Sequence, residues 1–204
     1  MIDELRQHYT KAIGAEPILH EMNTRTGKQM GVFEWPAGSS RLGVHFYASA
    51  GAGHYWKDVH RHAVELFTGV SHGGQEVLDA FATMALNVHV SGTIPQHGVF
   101  VAGDWKVIKG RKFTGWLLTE RLDNFMPNLE VPDGGHVAFL DTIPVFPEEA
   151  DYRHGNRSDD LFDIWEAEGV RSWDLDRELP AGIVPRLSGA GALLRSALDK
   201  VRKL

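Results

Sequence analysis

Apolar residues recur every three to four positions in four stretches of the chain, the spacing that places them on one face of an α-helix. In the first stretch Ile2, Leu5, Tyr9 and Ile13 share a face, and Gly14 follows as a natural stop. The longest stretch, QEVLDAFATMALNVH, begins behind a Gly-Gly break. The pattern predicts helices at residues 2–13, 75–89, 158–168 and 187–204, the last of them amphipathic.

Between these helices lie short segments rich in aromatic and β-branched residues and bounded by Gly, Asn or Pro, a composition typical of β-strands. They are PILHEMN, MGVFEWP, LGVHFYAS, HRHAVELF, FTGWLLTE and GHVAFLDTIPVF. The last is almost entirely apolar, so we expect it at the centre of the sheet, ending at Pro144 or Pro147. A flexible connector is predicted at Ser49–Gly53. Many strands, a helix in mid-chain and helices near the end indicate a mixed α/β or α+β domain.

Composition removes several classes of chemistry. The 204 residues include no cysteine, which excludes a disulfide framework, a thiolate nucleophile and cysteine-bound zinc. Net charge is −6 and the sequence pI is about 6.0, whereas a nucleic-acid-binding protein normally carries a basic excess. We therefore expect no nucleic-acid partner; an acidic surface favours a basic protein instead.

The amino-terminal stretch MIDELRQHYTKAIG begins with acidic residues and has no apolar run of signal-peptide type. No stretch approaches the ~18 consecutive apolar residues that a membrane span needs. We expect a cytoplasmic protein without a membrane partner.

The segment DVHRHAVELF carries the strongest candidate metal-binding pattern. His60 and His62 would point to the same face of a strand, as in the metal motif of cupins, and His136 in VPDGGH is a further candidate ligand. Glu65 lies at an odd offset from His62 and so falls on the other face. In addition, the chain continues into a long helix where a cupin continues as a barrel of strands. A metal-dependent cupin-like enzyme using His60 and His62 is the alternative function.

Other catalytic patterns are weaker. The sequence has no complete dinucleotide loop, Walker lysine, G-x-S-x-G elbow or H-E-x-x-H. The acid pairs Glu148-Glu149 and Asp159-Asp160 are interpreted as complements to helix dipoles. In WDLD we expect Trp173 to pack inside with the acids outside. We assign no catalytic, cofactor-binding or metal-binding residue and predict a protein that is not an enzyme.

Five segments, in their order along the chain, resemble the suppressor of fused family. They are AVELF, the helix around EVLDAFATMA, GWLLTE, GHVAFLDTIPVFPEE and GVRSWDLDRE, with Asp174 to Arg177 matching a D-x-x-R-like end. The similarity runs from about Arg61 to Glu178. It implies a suppressor-of-fused-like single domain over residues 1–186, a mostly antiparallel mixed sheet with packed helices, followed by the helix at 187–204.

The resemblance also implies a function. Animal members restrain a transcription factor by gripping an extended peptide that adds to the sheet. Stand-alone bacterial members resemble immunity proteins that neutralise toxins. We therefore expect a non-enzymatic protein-binding module without a cofactor, whose partner is a protein and possible toxin bound by strand addition. The sequence leaves open the partner, the sheet edge, the oligomeric state and the role of the last helix.

Overall fold

The computed structural model describes residues 2–22, 30–39, 41–55, 62–102, 108, 110–121, 123, 125–132, 135–155 and 157–183. Its helices are α1 Ile2–Ile13, α2 Gln75–Val90, α3 Pro147–Gly155 and α4 Ser158–Ala167, with a short 3-10 turn at Ala52–Tyr55. Its strands are β1 Ile18–Met22, β2 Met30–Trp35, β3 His45–Ala50, β4 His62–Val70, β5 Phe100–Ala102, β6 Gly115–Thr119, β7 Leu129–Glu130 and β8 His136–Val145. The amphipathic helix expected at 187–204 lies outside the described residues and stays a prediction.

All eight strands join one sheet in the order β1-β2-β3-β4-β8-β6-β5, with β7 paired to β8. The β4–β8 pair is parallel and the other pairs are antiparallel. This arrangement confirms the predicted mixed, mostly antiparallel sheet with packed helices. Strand β8 is central, as its apolar sequence predicted. It runs through Pro144, which lies opposite Trp116, and ends before Pro147, where α3 begins.

The two faces of the sheet bury separate apolar clusters. Helix α2 covers one face through Val77, Leu78, Phe81, Met84, Ala85 and Val88, which pack with Val32, Leu66, Trp116 and Leu140 of the strands. Helix α1 covers part of the other face through Leu5, Tyr9 and Ile13, which pack with Phe33, Trp35, Phe46, Phe67 and Phe139. Helix α4 covers the β6 end of that second face, where Leu161 and Trp165 meet Leu117 and Val145.

The Ser49–Gly53 segment is buried and hydrogen-bonded, in contrast to the predicted flexible connector. Ser49 belongs to β3, and the backbone N–H groups of Gly51 and Gly53 donate to Glu65 Oε1 at 3.1 and 2.9 Å. Ser49 Oγ donates to Glu65 Oε2 and accepts from Leu66 N at 2.8 Å. The glycine and alanine content suggested flexibility, but the Glu65 carboxylate of β4 holds the turn through hydrogen bonds.

Candidate functional site

The histidines of the candidate metal motif are only partly brought together. His62, the first residue of β4, lies opposite His136 of β8, with 4.2 Å between the ring centroids; His60 lies outside the described residues. Glu65 is fully buried, where it bonds to Ser49 and to the glycines of the following turn. It lies on the face of β4 opposite to His62, as its offset predicted. The strand leads into α2, and the described strands form an open mixed sheet and not a closed barrel. These observations give the cupin-like alternative no support.

Burial raises the pKa of Glu65 to about 7, although Ser49 and the backbone N–H groups of Gly53 and Gly51 oppose that rise by hydrogen bonding to the carboxylate. A raised carboxyl pKa is a common mark of catalytic acids. Every hydrogen bond found for Glu65, however, goes to the β3 end and the turn after it. The arrangement therefore indicates a structural group.

Glu149 carries a second buried charge. From the sequence alone this residue was interpreted as a complement to the helix dipole. Arg177 donates to both of its oxygens, at 2.8 Å to Oε1 and 2.7 Å to Oε2, and Trp165 Nε1 donates to Oε1 at 2.8 Å. The Arg177 guanidinium also lies 4.6 Å from the centre of the Phe146 ring. The D-x-x-R-like end of the resemblance thus supplies an internal ion pair.

An exposed cluster forms where His72, after β4, meets the turn around Asp174 and Asp176. One ligand atom from each residue lies within 4.8 Å of the others, and no other metal-compatible group of three appears in the described part of the chain. Ser71 Oγ donates to Asp174 Oδ1 at 3.2 Å, and Arg111 forms a salt bridge with Asp176. Because the Arg111 guanidinium already pairs with the Asp176 carboxylate, we interpret the cluster as a turn held by its own polar contacts and not as a metal site.

A cavity of about 470 Å³ opens on the α1 side of the sheet, between the α1 and α4 clusters, and is called the Asp141 cavity here. Its lining residues are Leu42, Gly43, Val44, Phe46, Phe67, Gly69, Ser71, Arg121, Phe125, Asp141, Thr142, Ile143, Pro144, Ser172 and Trp173. Trp173 is 41% exposed, so the expectation that it packs inside is wrong; Leu175 is buried in its place. The volume falls within the range of small-molecule sites.

Charge in the Asp141 cavity is unevenly paired. Arg121 Nε donates to Asp123 Oδ1 at 3.0 Å, and Arg121 NH2 also reaches the other oxygen of Asp123. Arg121 NH1 is 3.7 Å from Asp141 Oδ2, which is too long for a hydrogen bond. Burial raises the pKa of Asp141 to about 6, a rise that the Arg121 charge only partly opposes.

A second depression, the β1 groove, lies between β1 and α2 on the opposite face of the sheet and also measures about 470 Å³. It is lined by His20, Glu21, Met22, Val32, Gln75, Leu78, Asp79, Ala82 and Thr83. Strand β1 is an outer strand that pairs with β2 alone among the described strands, and its Ile18 is 51% exposed. Among the described strands, β5 ends the sheet on the other side. Ile94, in the loop between α2 and β5, is 57% exposed.

A family model described as Suppressor of fused protein (SUFU) matches residues 27–178, more than half of the chain. The chain belongs to the suppressor of fused family. This finding confirms the resemblance that the five ordered segments carried. No curated protein matches the chain significantly.

Solved structures of suppressor of fused proteins share the fold. A structure described as a SUFU homolog from Neisseria gonorrhoeae FA 1090 superposes with a TM-score of 0.65 at 16% identity, covering 86% of this chain and 94% of that one. The Sufu-Fu complex structure gives 0.63 at 14% identity, with 92% and 96% covered. Drosophila Suppressor of Fused gives 0.58 at 12% identity; this chain, covered to 99%, matches 53% of it. Within the part of the chain that the structure describes, no helix has both the length and the apolar character to cross a membrane.

Proposed function

We propose that this suppressor of fused protein is a non-enzymatic binding module that holds an extended segment of a basic protein against β1. We further propose that it acts in the cytoplasm as an immunity protein and that its partner is a toxin. Family membership and the similarity to a structure described as the Sufu-Fu complex support protein binding as the activity. The carrying observation is the outer side of β1, which pairs with no other strand in the described part of the chain, beside the acidic β1 groove.

Backbone donors and acceptors on an outer strand are a template for another strand. Strand β1 offers five residues, against three in β5 at the other side of the sheet. An added strand gains main-chain hydrogen bonds, while alternate side chains enter the neighbouring groove and provide selectivity. The longer strand and the groove beside it favour β1.

The charge of the β1 groove favours a basic segment. Glu21 and Asp79 line it, and His20, which also lines it, pairs with the carboxylate of Glu34 at 2.7 Å. The net charge of −6 adds a long-range attraction that speeds the capture of a cationic partner. The same charge disfavours nucleic acid, whose phosphates would be repelled.

Site-specific photo-crosslinking tests the surface. A photoreactive residue at Ile18 should capture a protein partner in cells, and the same residue at Ile94, which is similarly exposed, should not. The double charge reversal Glu21→Lys with Asp79→Lys should abolish the capture while the thermal melting curve stays that of a folded protein. Capture through Ile94 alone would move the interface to the loop after α2 and contradict the β1 assignment.

The identity of the captured protein tests the immunity role. Mass spectrometry should identify a basic protein that stops growth when expressed alone, and co-expression of this chain should restore growth. A partner that is harmless when expressed alone would overturn the immunity role and leave protein binding standing.

A further inference from the structure

The Asp141 cavity is separate from the proposed partner surface. Its Phe46 and Phe67 belong to the cluster under α1, whereas the β1 groove is built on Val32 and Leu78 of the cluster under α2. The two depressions therefore lie on opposite faces of one sheet. A ligand in the cavity would leave β1 free.

Aromatic rings form much of the wall of the cavity. The ring of Phe46 stacks on Phe67 with centroids 5.5 Å apart, and Phe125 meets both rings at 5.8 and 6.0 Å. Trp173 contributes a large indole that stays 41% exposed. Such rings favour a flat or extended apolar body, and their faces also attract a cation.

One carboxylate faces this apolar space with its counter-charge in ion-pair range but beyond hydrogen-bonding distance. The side chain of Asp141 is only 17% exposed, and Asp123 holds Arg121, whose NH1 stays 3.7 Å from Asp141. Two carboxylates thus share one guanidinium. A buried carboxylate in this position gains most from a donor that brings its own positive charge.

We propose that the Asp141 cavity binds a small organic cation, a primary amine carried on an aromatic or aliphatic body. The ammonium group donates to the Asp141 carboxylate, and the body packs against Phe46, Phe67 and Phe125. The inference goes beyond protein binding, because it assigns a small-molecule site to a face that the proposed partner does not cover.

Three probes of similar shape and different charge test it: phenethylamine, phenethyl alcohol and phenylacetate. Isothermal titration should show saturable binding of the amine at least about tenfold tighter than the alcohol, the value of a charge-assisted over a neutral hydrogen bond, and weakest binding of phenylacetate. The indole N–H signal of Trp173, assigned through Trp173→Phe, should shift with the amine. Equal affinity for the amine and the alcohol, or no saturable binding, would overturn the proposal.

Variants separate the site from a general charge effect. Asp141→Asn should remove the preference for the amine, whereas Asp163→Asn, which removes one negative charge from an exposed position of α4, should keep it. Asp123→Asn offers an independent variant, because releasing Arg121 lets it pair with Asp141 and should weaken amine binding. An unchanged preference in folded Asp141→Asn and Asp123→Asn would overturn the assignment; a partner captured through Ile18 would be unaffected by that result.

Discussion

Arg177 closes a two-pronged ion pair on Glu149 in the interior, with N–O distances of 2.7 and 2.8 Å and side-chain exposures of 4% and 0%. The pair connects α3 to the turn that follows α4. The rings of Phe146, Trp165 and Phe113 surround the guanidinium within 4.6 to 5.3 Å. Both side chains are almost inaccessible to solvent, so each charge depends on the other for compensation.

Glu149→Gln should therefore lower the free energy of unfolding by about 3–5 kcal/mol, since it leaves the Arg177 charge buried without a counter-charge. Glu148→Gln, one residue away in the same helix turn, is the matched control and should change it by less than about 0.5 kcal/mol. Urea unfolding measures both. Similar losses in the two variants would show that the pair contributes no more than an ordinary helix-terminal acid.

Glu65 makes stability depend on pH. Burial raises its pKa in the folded protein from 4.5 to about 7, so folding favours the protonated form. Its contribution is complete below the unfolded pKa and is lost as pH rises through the folded pKa. Between pH 5 and 7.5 the free energy of unfolding should fall by roughly 2–3 kcal/mol through this group. Parallel stability–pH curves for wild type and Glu65→Gln would contradict this.

Asp141 also makes the protein less stable as pH rises, but over a lower pH range than Glu65 does. Its pKa rises from 3.8 to about 6, so its ionised form costs stability as pH increases through 6. At pH 7.5 the free energy of unfolding of Asp141→Asn, measured in urea, should exceed that of wild type by about 1–2 kcal/mol. This difference should disappear near pH 4. Asp163→Asn should show no such pH-dependent gain, and a gain of equal size there would assign the effect to net charge.

Leu175 and Trp173 should contribute unequally to stability. Leu175 is 3% exposed, and Leu175→Ala should cost about 2–5 kcal/mol by opening a cavity in the α2 cluster. Trp173 is 41% exposed, and Trp173→Ala should cost less than about 1 kcal/mol while removing a wall of the Asp141 cavity. Thermal and urea unfolding of the two variants compare them directly. The reverse order would restore the packing that the sequence suggested.

Periodicity was sufficient for α1, α2, α4 and the longer strands, but it did not predict α3, β5 or β7. The helices at Ile2–Ile13 and Gln75–Val90 have long apolar faces, and the strand at His136–Val145 was recognisable as central from its apolar sequence. The position of buried charge was not predictable in this way. Glu149 reads like any acid at a helix start, because its partner Arg177 lies 28 residues further on.

The candidate sites were harder still. The residues that line the Asp141 cavity, among them Arg121, Asp141 and Trp173, come from five separate segments. No local sequence pattern therefore predicts the cavity. Trp173 and Leu175 are both apolar residues in a turn, where no helical or strand period tells which one faces inward. In WDLD the larger side chain was expected inside, but the smaller one fills the core.

The parallel β4–β8 pair joins segments that are far apart in the chain: Thr68 Oγ1 donates to Thr142 O across 74 residues. During translation β4 leaves the ribosome long before β8 exists. For that interval the nascent polypeptide presents the open side of β4, a buried strand of the finished sheet, to every other chain nearby. We therefore expect the yield of folded molecules to depend on chaperone cover during synthesis as well as on the stability of the completed protein.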